Sequence, residues 1–166
     1  MQTKDEQKKS ANAPELFQKV IKFEGHWTAT LKDEFGAYKT HFNGQNVITN
    51  SGVAFLAEFF ASAAGAASTF TMKYIGMGTN TTAEAAANST LGTETARQTG
   101  VVSYVSLGIF KVVATFAAGT GTGDITEYGV FSSSVNGTML NRIVQSAIAK
   151  GASDSLEVTC EITLSN

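Results

Sequence analysis

Cysteine occurs once in the 166 residues, at Cys160, which excludes an internal disulfide and any metal cage built from cysteines. Long apolar runs are missing as well. None approaches the roughly 18 residues that a membrane-spanning helix needs. There is no excess of basic charge: the formal net charge is −2 and the pI about 5.7, so the electrostatic footprint of a nucleic-acid binder is absent. The opening residues, MQTKDEQKKS, are polar with no apolar stretch behind them, and a secretory signal is not expected. The N-x-S/T sequons at Asn80, Asn88 and Asn136 then read as incidental to a Thr- and Ser-rich chain.

Charge is scarce in one part of the chain only. Residues 1–42 carry seven Lys and six acids, whereas the remaining 124 residues carry five Lys or Arg and eight Asp or Glu. That later stretch holds about one charge in ten residues, where soluble domains average about one in four. An isolated monomer is kept soluble by a charged surface without patches. A surface of Thr, Ser, Ala and Gly suits one that neighbours cover, so a component of a larger assembly is expected over the plainer alternative of a neutral free domain.

Periodicity places the elements. Residues 1–12 have none and read as an arm; PELFQKVIKF from Pro14 puts Leu16, Phe17, Val20 and Ile21 on a helical stripe, or is an extended lead-in. GHWTATLKDEFGAYKTHF alternates on both sides of a turn at residues 32–36 and predicts a hairpin. In NVITNSGVAFLAEFFASAAG, Asn50 or Ser51 is placed to cap a helix near 51–63. Its apolar face would be Val53, Leu56, Ala57 and Phe60, widened by Phe55 and Phe59, with Gly65 as the stop. From residue 69 the period is two: FTMKYIGMG, VVSYVSLGIFKVVATFAAG, DITEYGVFSS, TMLNRIVQSAI and SDSLEVTCEITLS read as strands, the last with Leu156, Val158, Cys160, Ile162 and Leu164 on one face. Turns are expected at 119–123, at Asn136-Gly137 and at Lys150-Gly151. Six to eight antiparallel strands with one helix make a mainly β domain, a sandwich or barrel-like module over 23–166 behind an arm of 1–22.

YIGMGTNTTAEAAANSTLGTETARQTG, residues 74–100, contains a G-x-G flanked by Thr, but no Lys or Arg stands between Lys73 and Arg97, and no βαβ unit surrounds it. It reads as a strand exit followed by a long loop, and GTGTGD at 119–124 as a turn. His26 and His41 flank the predicted hairpin without a Cys or carboxylate cluster, which rarely makes a metal site. No G-x-S-x-G elbow is present, and Asp124 and Glu127, three apart on a strand, are expected on opposite faces rather than as a carboxylate pair. No catalytic, cofactor or metal residues are assigned, and Cys160 is expected to be a buried small hydrophobe. Four charges stand out by context: Glu94 and Arg97 in LGTETARQTG, Glu127 in ITEYGVF and Arg142 in LNRIVQ. A charge amid apolar strand residues must be paired or face outward. Either Arg97 or Arg142 pairs with Glu127 or Glu94 and pins the long loop to the sheet, or all four face solvent or a neighbour.

Several segments in order, NVITNSGVAFLAEFF, YIGMGTNTTAEAAANSTLGTETAR, ATFAAGTGTGDITEYGVFSSSVNGTMLNRIV and KGASDSLEVTCEITLS, resemble a family of small virion structural proteins of tailed bacteriophages. GHWTATLKDEFGAYKTHFNGQN fits its start, so the resemblance covers about 23–166 and leaves 1–22 outside. It implies a β-rich, non-enzymatic module made in the bacterial host cytoplasm. The leading expectation is a capsid decoration (cement) protein on the outer surface of the capsid, a homotrimer on the major capsid protein lattice. Its arm, through Lys4, Lys8, Lys9, Leu16 and Phe17, would reach neighbouring subunits. The alternative is a tail fibre, spike or baseplate component presenting the loop at 79–93 to the host surface. Neither nucleic acid nor membrane is an expected partner.

Overall fold

The computed structural model describes residues 21–61 and 71–165. Lys4, Lys8, Lys9, Leu16, Phe17 and the stop at Gly65 lie outside them, and Lys22, assigned to the arm, already opens the first strand.

The described residues form a mainly β sandwich of two five-stranded antiparallel sheets with one helix. In chain order the elements are β1 (Lys22–Lys32), β2 (Tyr38–Gln45), β3 (Val47–Ile48), α1 (Asn50–Ala61), β4 (Tyr74–Gly78), β5 (Glu94–Thr99), β6 (Val101–Ser106), β7 (Ile109–Phe116), β8 (Gly123–Phe131), β9 (Met139–Lys150) and β10 (Ser155–Ser165). One sheet has the order β2-β1-β10-β7-β6 and the other β3-β9-β8-β4-β5. The chain changes sheet four times through short connections, between β2 and β3, β5 and β6, β7 and β8, and β9 and β10, and two of these crossings take a single residue. At Asn46 it passes from β2 to β3, its N–H on the carbonyl of Gly25, and at Gly100 from β5 to β6, its N–H on the carbonyl of Lys73.

Alternation explains the core. Trp27, Ala29 and Leu31 of β1, Val112, Ala114 and Phe116 of β7, and Leu156, Val158, Cys160 and Ile162 of β10 point inward at every second position. They meet Ile75 and Met77, Ile125, Tyr128 and Val130, and Leu140 and Ile143 from the other sheet. Trp27 stacks on Tyr128 across the two sheets with ring centroids 5.8 Å apart, worth about 1 kcal/mol beyond the area it buries. Burial pushes the Tyr128 phenol well above its ordinary pKa, and its hydrogen bond from Gln145 pulls modestly the other way. Cys160 is buried as expected; burial pushes its thiol up to about 12, and Asn141 Nδ2 donates to its Sγ at 3.2 Å.

Three local expectations change. Thr49, not Asn50 or Ser51, caps α1: its Oγ1 accepts the N–H of Gly52 at 3.0 Å and donates to the carbonyl of Met139 at 2.6 Å. The inward face is Gly52, Phe55 and Leu56, while Val53 and Ala57 are exposed. The helix is rotated because Gly52 sits against the Leu140 backbone, where a Cβ would collide with the carbonyl oxygen. Thirdly, β3 and β5 are strands the alternation does not announce. β5, ETARQT, sends one small residue, Ala96, to the core, so its membership rests on ladder hydrogen bonds with β4 and on its side chains.

Candidate functional site

The outer face of the β3-β9-β8-β4-β5 sheet carries the long loop, residues 79–93, and two buried or half-buried arginines hold its surroundings together. The floor under it is made of Gly76 and Gly78 on β4 and Gly129 on β8. A Cβ at Gly76 or Gly129 would press on Leu91, at 3.2 Å in each case, and one at Gly78 would collide with the Thr93 carbonyl. The absence of side chains makes a shallow bed, and Leu91 fills it beside Phe131 and Met139, forming a second small core outside the sandwich. The glycines of the G-x-G serve packing. In the same way GTGTG at 119–123 is the β7–β8 turn, with positive φ at Gly119, Gly121 and Gly123 that other residues adopt with difficulty.

Glu127 is fully buried beneath this loop. Its Oε1 accepts the N–H of Thr93 at 2.8 Å and of Asn80 at 3.4 Å; Oε2 accepts the N–H of Gly92 at 3.0 Å and Arg142 Nε at 2.9 Å. Arg142, 2% exposed, lies opposite Gly129 on β9. Its Nη1 donates to Asn88 Oδ1 (3.0 Å) and the Ala83 carbonyl (3.4 Å), and its Nη2 to the Thr82 carbonyl (3.1 Å) and Asn80 Oδ1 (3.3 Å). Every donor of the guanidinium is used. One buried ion pair therefore supplies partners to backbone groups along the 15-residue loop, and these bonds offset the desolvation of the two charges. Asn80 and Asn88 also close turns of their own, Oδ1 accepting the N–H of Thr82 and Ala85 respectively. Their roles were not visible in the sequence, where they stood only as sequons.

Arg97 makes the second tie. It holds Glu94 through two bonds, Nε to Oε1 at 2.7 Å and Nη2 to Oε2 at 2.6 Å, and donates Nη1 to the carbonyls of Ser133 and Asn136. Its guanidinium lies 3.5 Å from the Phe131 ring centre. Edge strand β5 is thereby fixed to the connection between β8 and β9. The four charges picked out by context thus make two pairs, Arg142–Glu127 and Arg97–Glu94.

The other candidates stay apart. His26 pairs with Asn43 and His41 with Thr30 across the β1–β2 ladder, so neither imidazole meets the other. The expected opposition of Asp124 and Glu127 does not hold as simple alternation, because the β8–β9 register shifts between Ile125 and Glu127. Ile125 and Tyr128, three apart, both enter the core. Asp124 is exposed and Glu127 is sealed under the loop, so the two share no cleft. Among the described residues no group of three or more His, Cys, Asp or Glu is placed to hold a metal ion, and no helix is long and apolar enough to cross a membrane.

β5 runs through Gly100 into β6, VVSYVS, an edge strand of the other sheet, which is followed by Leu107 in the turn to β7. Val101 and Tyr104 are each 73% exposed and Leu107 92%, with Val102 and Val105 about half exposed. Val102 lines an apolar hollow of about 200 Å³ with Phe55, Leu56, Met72 and Phe110. No family model matches the chain, and no curated protein or solved structure matches it either.

Proposed function

We propose that this chain is a non-enzymatic structural protein of a tailed-phage virion, a capsid decoration protein that binds the major capsid protein lattice as a homo-oligomer and stabilises it. The observation that carries the reading is the union of a locked sandwich with an uncharged, exposed apolar edge. Burial at that edge supplies adhesion, and a body whose long loop is already ordered gives up little further entropy on binding. The sparse charge beyond residue 42 supports it, as does the ordered resemblance of residues 23–166. Its action is mechanical: interface area adds to the stability of the shell without a chemical step.

A tail role is the second reading, favoured by one observation: Thr81, Thr82 and Ala85–Ala87 of the locked loop are exposed on a rigid base, as a host-contacting surface would be. The copy number of the chain in purified particles, measured by mass spectrometry against the major capsid protein, separates the two. A ratio near one per capsid subunit is expected. A few to a few tens of copies per particle would overturn decoration in favour of the tail, and absence from particles would overturn both.

A further inference from the structure

Each sheet has two edges, and a sheet edge presents unpaired N–H and C=O groups that template another strand. Among the described residues, three of the four edges carry the usual protection. β2 bears Lys39 and His41, β5 bears Glu94 and Arg97, and β3 is two residues long. β6 has no charge and no proline, and its apolar side chains stand on both faces. Val101 and Ser103 lie on one, and Val102 and Tyr104, opposite Val112 and Phe110, on the other. The register shift between Tyr104 and Ser106 confines irregularity to the turn end, leaving Val101–Tyr104 regular.

We infer that β6 is the edge on which a second copy of this chain pairs, antiparallel about a twofold axis, joining two five-stranded sheets into one of ten strands. Charge decides the occupant. Twofold pairing sets a strand against its own sequence. β2 or β5 would then bring lysines, or arginines, towards their own counterparts, whereas β6 meets only Val, Ser and Tyr. Cross-strand Val and Tyr pairs are among the favourable ones. Five exposed apolar side chains, Val101, Val102, Tyr104, Val105 and Leu107, stand on or beside this edge, and pairing there withdraws part of their surface from water on both copies. This deepens the homo-oligomer part of the function proposed above and replaces the threefold cluster by a twofold one, but it does not require a capsid.

The test is sedimentation of the full-length chain over a concentration series, with hydrogen exchange read at the amides of residues 101–104. A reversible monomer–dimer equilibrium is expected, with these amides gaining protection as dimer forms. Tyr104→Lys raises the dimer Kd at least about tenfold, because like charges meet across the axis, and leaves the circular dichroism of the monomer unchanged. Should that variant misfold, Val101→Lys on the other face serves instead. A chain that stays monomeric, forms trimers, or dimerises while the β6 amides exchange freely would overturn the inference. So would protection gained only when purified capsids are added, which would give the edge to a capsid partner. These outcomes are separate from copy number in particles, on which the virion reading stands or falls.

Discussion

The two flanks of this sandwich invert the usual distribution of charge. On the loop-covered face, a carboxylate and a guanidinium are withdrawn from water. On the β6 edge, Val101, Tyr104 and Leu107 stand largely in it, and Val102 and Val105 about half. The buried charges are supported by more than each other: Glu127 accepts four hydrogen bonds and Arg142 engages every donor it has. An ion pair that also organises a loop has a structural reason to be buried, whereas the described residues leave much of the apolar surface of β6 uncovered.

Removing charge from the first flank should be the most damaging change. Arg142→Ala strands Glu127 in the interior and is expected to lower stability by about 3–5 kcal/mol, read by thermal or denaturant unfolding, and to open 79–93 to protease. A loss under about 1 kcal/mol would mean that the loop is held by Leu91 and not by the pair. Gly78→Ala attacks the same lock through its floor. The new methyl collides with the Thr93 backbone, which cannot swing away as a side chain would, and a loss of about 2–3 kcal/mol is expected with cleavage in the same loop. Arg97→Ala frees β5 from Ser133 and Asn136 at a cost of about 1–2 kcal/mol; unchanged melting would show that the stack on Phe131 and the Glu94 pair contribute nothing measurable.

A smaller effect belongs to Asp154. The hydrogen bond from Lys39 Nζ at 2.7 Å, then the N–H of Gly151, hold its carboxyl below the usual carboxylate range. The unfolded chain therefore binds the proton more readily than the folded one. This stability is present above the ordinary carboxylate pKa and is lost as pH falls through the lowered folded value. Asp154→Asn should abolish that portion of the acid dependence in pH-resolved melts, and an identical profile would rule the group out. Smallest of all is Tyr104→Lys on the other flank: in dilute, monomeric protein its stability should change by less than about 0.5 kcal/mol. If a charge added at β6 cost as much as one removed beneath the loop, the contrast between the flanks would collapse.

How much of this was legible in the sequence follows from where apolar residues do the work. β10 reads correctly because burial alternates along almost its whole length, and the β1–β2 hairpin because β1 alternates and its turn chemistry is local. β5 is silent because Thr95, Arg97 and Gln98 act through the ladder, a carbonyl and an aromatic ring rather than through core burial. Glu127 and Arg142 announce themselves as charges among apolar neighbours, but their partners are fixed by strand register, which depends on the irregularity at Thr126. VVSYVSLGIFKVVATFAAG reads as one or two strands, with nothing in its pattern to rank them. That β7 is central and β6 peripheral is a property of strand order, decided by β10 arriving on the far side of β7.

That arrival also sets a timetable. The sheet bearing the locked loop has all its strands once β9 ends at Lys150 and needs nothing from β10. Its partner sheet differs: β1 and β7 both wait for β10, and the ladder joining β1 to β10 spans from Lys22 with Ser165 to Lys32 with Ser155. Until then two further edges stand open beside β6, and the slow, sequence-distant step of folding is also the interval of greatest exposure to wrong pairing. Loss of the last eleven-residue strand would not trim this domain; it would leave one finished sheet facing two loose hairpins.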